Sequence, residues 1–74
     1  MGTMAIIGKE GDTKVIWSPE DEDEVDAAET QFDSLLEKGF KAFNVSKDGS
    51  KGKEIKKFNP KAGKIIMVPA LVGG

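Results

Sequence analysis

Apolar residues follow two different periods along the chain, and these periods predict strands at both ends with one helix between them. Near the N-terminus, Thr3–Ile7 and Thr13–Trp17 are short runs rich in β-forming residues. A loop that contains two glycines separates them, and this spacing is typical of a β-hairpin. We therefore expect the chain to begin with two antiparallel strands.

The central part of the chain has the spacing of an amphipathic helix. Its apolar residues recur every three or four positions, at Val25, Ala28, Phe32, Leu35 and Leu36. The hydroxyl of Ser18 can cap the first turn, and Pro19 is tolerated at a first helical position. Gly39 can adopt the left-handed conformation that commonly ends a helix, and Phe40 can then pack back on the last helical turn. The pattern predicts a helix that starts at residue 19 or 22 and ends at Lys38.

Three further strands are predicted after the helix, at Phe40–Val45, Lys53–Phe58 and Lys64–Val68. The last of them, KIIMV, has no alternation, so apolar side chains point to both of its faces, as in an interior strand. A single helix covers only one face of a sheet. The other face therefore exposes apolar surface or meets a partner, unless the long stems of lysine side chains screen it.

The order of elements and the last residues of the chain resemble the ubiquitin-like sulfur carriers and modifiers. Pro69, Gly73 and Gly74 match the Pro-Pro-Val-x-Gly-Gly ending of the molybdopterin-synthase small subunit and of related archaeal modifiers. Leu71 is an apolar match, whereas Ala70 departs from the pattern by replacing the second proline. The thiamine sulfur carriers also end in Gly-Gly. The resemblance covers the order of elements and residues 64–74, not the whole sequence.

This resemblance implies an α+β fold of the β-grasp (ubiquitin-like) type. Its elements follow the order ββαβββ, and a mixed sheet packs on one helix, with the last strand central and parallel to the first. Residues 1–69 would form the ubiquitin-like domain, and residues 70–74 a flexible C-terminal tail. The apolar last strand suits the central position, and the charged strand Lys53–Phe58 suits an edge.

The resemblance also implies a function at the C-terminus. In these carriers an adenylating enzyme activates the terminal carboxylate, which then becomes a thiocarboxylate or an amide to a lysine of an acceptor protein. Glycine suits the last two positions, here Gly73 and Gly74, because it has no Cβ to collide with a narrow nucleotide site. The residues expected to contact the partner are Met67, Pro69, Leu71 and Val72. Such a carrier needs no catalytic residue, metal or cofactor of its own.

Composition limits the other classes of function. With 74 residues the chain has the size of one small domain. It contains neither cysteine nor histidine, which excludes disulfides and leaves only carboxylates for a zinc site. No residues stand at a spacing typical of a catalytic acid, base or nucleophile, so we do not expect an enzyme. No apolar run has the length of a membrane span, and we expect a soluble cytoplasmic protein without membrane contact.

Charge is strongly segregated along the chain. Residues 1–37 contain 11 acids and 2 lysines, a balance of −9, and residues 38–74 contain 9 lysines and 2 acids, a balance of +7. The acidic run Glu20–Glu24 suits a helix N-terminus and a solvated face, and it could also attract a basic partner. Arginine is absent, which argues against nucleic acid as a partner because specific recognition favours the guanidinium fork.

Two alternatives stay open beside the carrier. The first is a non-enzymatic ubiquitin-like interaction module with an inert tail, of a kind that a phage or other mobile element could encode. A terminal Gly-Gly also occurs by chance, which favours this alternative. The second is a lysine-rich binder of single-stranded nucleic acid, in which Phe40, Phe43 and Phe58 would stack on bases.

Overall fold

One helix and five strands follow one another in the order ββαβββ in the computed structural model, which describes residues 1–8, 11–45 and 51–69, with only the backbone at residue 51. The elements are β1 (Gly2–Ile6), β2 (Thr13–Trp17), α1 (Glu22–Glu37), β3 (Lys41–Val45), β4 (Lys51–Ile55) and β5 (Lys64–Val68). The predicted order is confirmed, and β2 and β5 have the predicted bounds. The described part of the chain contains no helix long and apolar enough to cross a membrane.

The strands form a mixed sheet in the order β2-β1-β5-β3-β4. The last strand is central, as its apolar sequence predicts: it runs parallel to β1 on one side and antiparallel to β3 on the other. A parallel pair needs a long crossover connection, which α1 and the strands after it supply here. The charged strand β4 lies at an edge, also as predicted.

The fourth strand begins and ends earlier than the sequence pattern predicts, at Lys51–Ile55 instead of Lys53–Phe58. Ile55 pairs with Ala42 of β3, and the register shifts between Phe43 and Val45. Phe58 lies outside the sheet, and its side chain is buried in the core with 9% of its surface exposed. Its ring centroid lies 4.9 Å from that of Trp17 and 5.7 Å from that of Phe32. Burial of this aromatic ring in the core therefore ends the strand.

The helix starts at the later of the two predicted positions, and its cap is Asp21, not Ser18. The Asp21 carboxylate accepts the backbone N–H groups of Asp23 and Glu24 at 3.1 and 3.2 Å. Ser18 instead begins a turn, in which its carbonyl accepts the N–H of Asp21 at 3.0 Å. Pro19 at the second position of this turn sets the backbone direction, and the turn moves the cap three residues beyond the serine, so that the helix begins at Glu22.

The helix end follows the prediction closely. Gly39 has a φ of 98°, a conformation that glycine adopts without steric cost. This turn brings the N–H of Phe40 to the carbonyl of Leu35 at 3.0 Å. The side chain of Phe40 packs against the core.

The core lies between α1 and one side of the sheet. Its buried members are Met4, Ile6, Trp17, Ala28, Phe32, Leu35, Ala42, Phe58, Ala62, Ile65 and Met67. Trp17 is fully buried, and its indole N–H donates to the carbonyl of Pro60 at 2.9 Å. Gly2 pairs with Trp17 across the sheet, and any Cβ there would collide with the indole ring. Trp17 thus links the N-terminal hairpin to the turn before β5.

Candidate functional site

The residues predicted to contact a partner are placed very differently by the fold. Met67 is 0% exposed and lies in the core on the side of α1, so its side chain offers no surface to a partner, which corrects its assignment from the sequence. Pro69 is exposed directly after β5. Leu71, Val72, Gly73 and Gly74 lie outside the described residues, as does the whole predicted tail 70–74.

Backbone hydrogen bonds hold the end of β5 to its neighbours up to its last residues. The N–H of Ile7 donates to the carbonyl of Met67 at 2.9 Å, and Val68 pairs with Lys41 of β3. Pro69 cannot continue this ladder as a donor because it has no N–H. The chain therefore leaves the sheet at Pro69, from between β1 and β3 and not from an edge.

The side of the sheet that faces away from α1, here called the open face, has an apolar centre. Ala5, Ile66 and Phe43 lie side by side on β1, β5 and β3, because Ala5 pairs with Ile66 and Ile66 pairs with Phe43. All three are partly exposed. Val68, also partly exposed, follows Ile66 on the same side of β5, and Ile16 on β2 is 55% exposed.

Three exposed lysines surround this apolar centre. Lys14 pairs with Ala5 and so extends the row on the β2 side. Lys64 pairs with Thr3 on one flank of the row, and Lys41 pairs with Val68 on the other. The fourth side holds Glu54, which pairs with Phe43. The open face therefore combines aliphatic surface with a net positive border.

Most of the described acidic residues lie on the opposite side of the domain, on α1 and in the turn before it. Those of the helix are Glu22, Asp23, Glu24, Asp26, Glu29, Asp33 and Glu37, all exposed. One of them also stabilises the turn before the helix, since a Glu24 carboxylate oxygen accepts the N–H of Ser18 at 2.8 Å. Among the described residues no cluster of three or more acidic side chains is arranged to hold a metal ion. A basic partner for this surface stays a prediction.

The three phenylalanines proposed to stack on nucleic acid bases do not share a surface. Phe58 is buried, and Phe40 packs against the core. Phe43 lies on the open face, opposite Ile66. A platform of several aromatic rings, which binds single strands by stacking, is thus absent from the described part of the sheet.

The sequence indicated an apolar second face but not its composition. The sequence predicted apolar side chains on both faces of β5, which is confirmed, and the structure places Ile66 and Val68 on the side away from the core. The row with Ala5 and Phe43, and the border of lysines, depend on registers between strands that are distant in sequence. Alternation within β1, β2 and β3 could have indicated the side of each residue, but not its neighbour.

Comparison with family models, with curated proteins and with solved structures gives no match for this chain.

Proposed function

We propose that this protein is a β-grasp, ubiquitin-like carrier or modifier. It works without catalysis of its own: an adenylating enzyme activates the carboxylate of Gly74, and the activated end transfers sulfur or forms an amide with an acceptor protein. The location in this proposal is the cytoplasm, as predicted from the sequence. The proposal requires that Gly74 is the end of the mature protein.

The observation that carries this proposal is the position of β5. The last strand lies in the middle of the sheet, parallel to β1, and the chain leaves it at the exposed Pro69. Five residues follow Pro69 in the sequence, and a fully extended segment of that length spans about 17 Å. That reach is sufficient for a terminal carboxylate to enter a partner's nucleotide site while the folded domain stays outside it.

The chemistry needs only ATP and a nucleophile from the partners. The Gly74 carboxylate would attack the α-phosphate of ATP and release pyrophosphate, giving an acyl adenylate. A sulfur nucleophile or a lysine amine would then attack the carbonyl carbon and release AMP. Two glycines at the end keep side chains away from the reacting carbonyl. No group of the domain takes part in bond formation in this scheme.

Intact mass spectrometry of the protein from its native host tests this proposal. We expect a chain that ends at Gly74 and a fraction whose mass is raised by the exchange of one oxygen for sulfur, or by an isopeptide-linked acceptor. Gly74→Val should abolish both products, because a branched side chain blocks entry of the carbonyl. Gly63→Ala is the matched control, since a Cβ there meets nothing within 4 Å and should leave activation unchanged. A mature chain that continues beyond Gly74, or that never carries a product, would contradict the proposal.

A second candidate is an interaction module of the same fold whose tail is inert. The open face favours it, because a partly exposed row of apolar side chains on an otherwise charged domain is typical of a protein-binding surface. Removal of Gly73 and Gly74 distinguishes the two candidates: it should end every covalent product of a carrier and change nothing in a module.

A further inference from the structure

We propose that the open face binds an acidic polypeptide segment that carries apolar side chains on one side. This surface is separate from the C-terminal carboxylate, and its binding does not depend on activation of the tail. The proposal rests on three features of the described residues: the apolar row, its border of lysines, and the position of the α1 acids on the opposite side of the domain.

The apolar row provides the contact area for the partner. Ala5, Ile66 and Phe43 lie on three adjacent strands, which are spaced about 4.8 Å apart, so the row is about 10 Å wide. Val68 and Ile16 extend the apolar surface to either side of the row. This width fits one face of a single helix or a short extended segment. Burial of this surface would provide the main favourable contribution to binding.

The lysines determine the charge of the partner. Lys14, Lys41 and Lys64 are all exposed and stand on three sides of the row. Their positions suit carboxylates that flank the apolar residues of a bound segment. The acids of α1 lie on the opposite surface and would repel such a segment from that side. The two surfaces together would steer an acidic partner towards the open face.

A second copy of this chain fits the open face poorly. Contact between two open faces would bring lysine borders together. The surface of α1 in another copy is mainly acidic: Ala27 is its exposed apolar residue, and the partly buried Val25 and Leu36 pack against that copy's own core. Nucleic acid fits less well too, because the face is mainly aliphatic and the sequence has no arginine. An acidic polypeptide with apolar residues provides both carboxylates for the lysines and apolar side chains for the row.

The test is a titration of the ¹⁵N-labelled full chain, followed by NMR, with a synthetic helical peptide that has leucines on one face and glutamates on the other. We expect saturable shift changes centred on the amides of Ala5, Phe43 and Ile66. The same peptide with lysine for glutamate, the same peptide with serine for leucine, and oligo-dT should cause no saturable change. Raising ionic strength from about 0.05 M to about 0.5 M should weaken binding, since exposed charges are screened.

Charge reversal on the domain tests the lysines directly. The triple variant Lys14→Glu, Lys41→Glu and Lys64→Glu should bind the leucine–glutamate peptide about tenfold more weakly or worse, since each exposed ion pair contributes a factor of about 1.5 to 5. Lys53→Glu, Lys57→Glu and Lys61→Glu is the matched control: it changes the net charge equally at exposed lysines that belong to none of the strand pairs that define the open face. This control should retain most of the affinity.

Several outcomes would overturn the proposal. These are the absence of saturable binding by the leucine–glutamate peptide, equal binding of the lysine peptide or of oligo-dT, and shift changes that map to α1. Concentration-dependent shifts of the open face without peptide would assign it to a second copy instead. A chain without Gly73 and Gly74 should bind the peptide normally, so a failed carrier proposal and a failed docking proposal give different results.

Discussion

The two faces of the sheet are built from the same strands, yet they differ in almost every physical respect. Along β5, Ile65 and Met67 are fully buried under α1, while Ile66 and Val68 between and after them stay partly exposed. On β3 the small Ala42 is buried and the large Phe43 is partly exposed. Burial in this domain is therefore determined by the side of the sheet and not by the size or hydrophobicity of the residue.

This difference indicates separate roles for the two faces. The covered face joins the helix, Trp17 and Phe58 into one core, which a domain of this size needs in full because it contains no disulfide. The open face contributes less to that core and keeps apolar residues beside lysines. We expect substitutions on the covered face to reduce stability and substitutions on the open face to alter binding.

The sharpest comparison uses two neighbouring isoleucines of β5. Ile65→Ala should lower the free energy of unfolding by about 3 kcal/mol, because it leaves a cavity in the core, and Ile66→Ala by about 1 kcal/mol. Both replacements remove the same β-forming side chain, so the difference between the two losses of stability depends only on which face of the sheet the isoleucine occupies. Urea unfolding measures it. The free energy of unfolding of a 74-residue chain is about 4 to 11 kcal/mol in total, so Ile65→Ala would remove a large part of it. Equal losses would show that the open face is covered in solution.

A second substitution tests how tightly the covered face is packed. Gly2→Ala should cost about 2 kcal/mol, because the added Cβ would collide with the Trp17 ring and overpacked cores must shift. The indole ring has little freedom to move while its N–H is bonded to Pro60. The measurement is urea unfolding, together with the indole N–H signal by NMR. Gly63→Ala serves as the control and should not lower the stability. An unchanged urea midpoint for Gly2→Ala would show that the hairpin can shift to accommodate the added Cβ at little cost.

A third substitution tests the helix start, on which the covered face depends. Asp21→Ala should lower the free energy of unfolding by about 1 kcal/mol, because two N–H groups of the first turn lose their acceptor. Ser18→Ala retains the backbone bonds of the turn and should change stability little. Thermal unfolding followed by circular dichroism measures both variants. A larger loss at Ser18 than at Asp21 would place the cap at the position that the sequence pattern first predicts.

The smallest effect is expected at the exposed edge of the open face. Ile16→Thr keeps a β-branched side chain and should change the free energy of unfolding by less than about 0.5 kcal/mol, since Ile16 is 55% exposed. The same variant should weaken binding of the leucine–glutamate peptide. Urea unfolding and the NMR titration would separate the two effects. A loss of stability comparable to that of Ile66→Ala would mean that this edge is packed more tightly than the structure indicates.

Local patterns predicted most of the fold, and they failed in two places: the end of β4, which a distant contact decided, and the helix cap. The bounds of β2 and β5, the left-handed turn at Gly39 and the central position of the apolar strand all follow from residues within a short window. The end of β4 does not, because Phe58 leaves the strand to join rings from β2 and α1. The helix cap was misassigned because two candidate residues, Ser18 and Asp21, stand one turn apart and the turn at Pro19 selects the second.

The sequence alone determined the order of elements, the segregation of charge and the presence of apolar side chains on both faces of the last strand. These properties depend on the nature and spacing of neighbouring residues, which the chain itself contains. Only the tertiary structure decided that Ala5, Ile66 and Phe43 form one row with Lys14, Lys41 and Lys64 around it. That arrangement depends on the registers of four strands, two of which, β1 and β5, are far apart in the sequence. Registers are set by packing of the covered face against the helix.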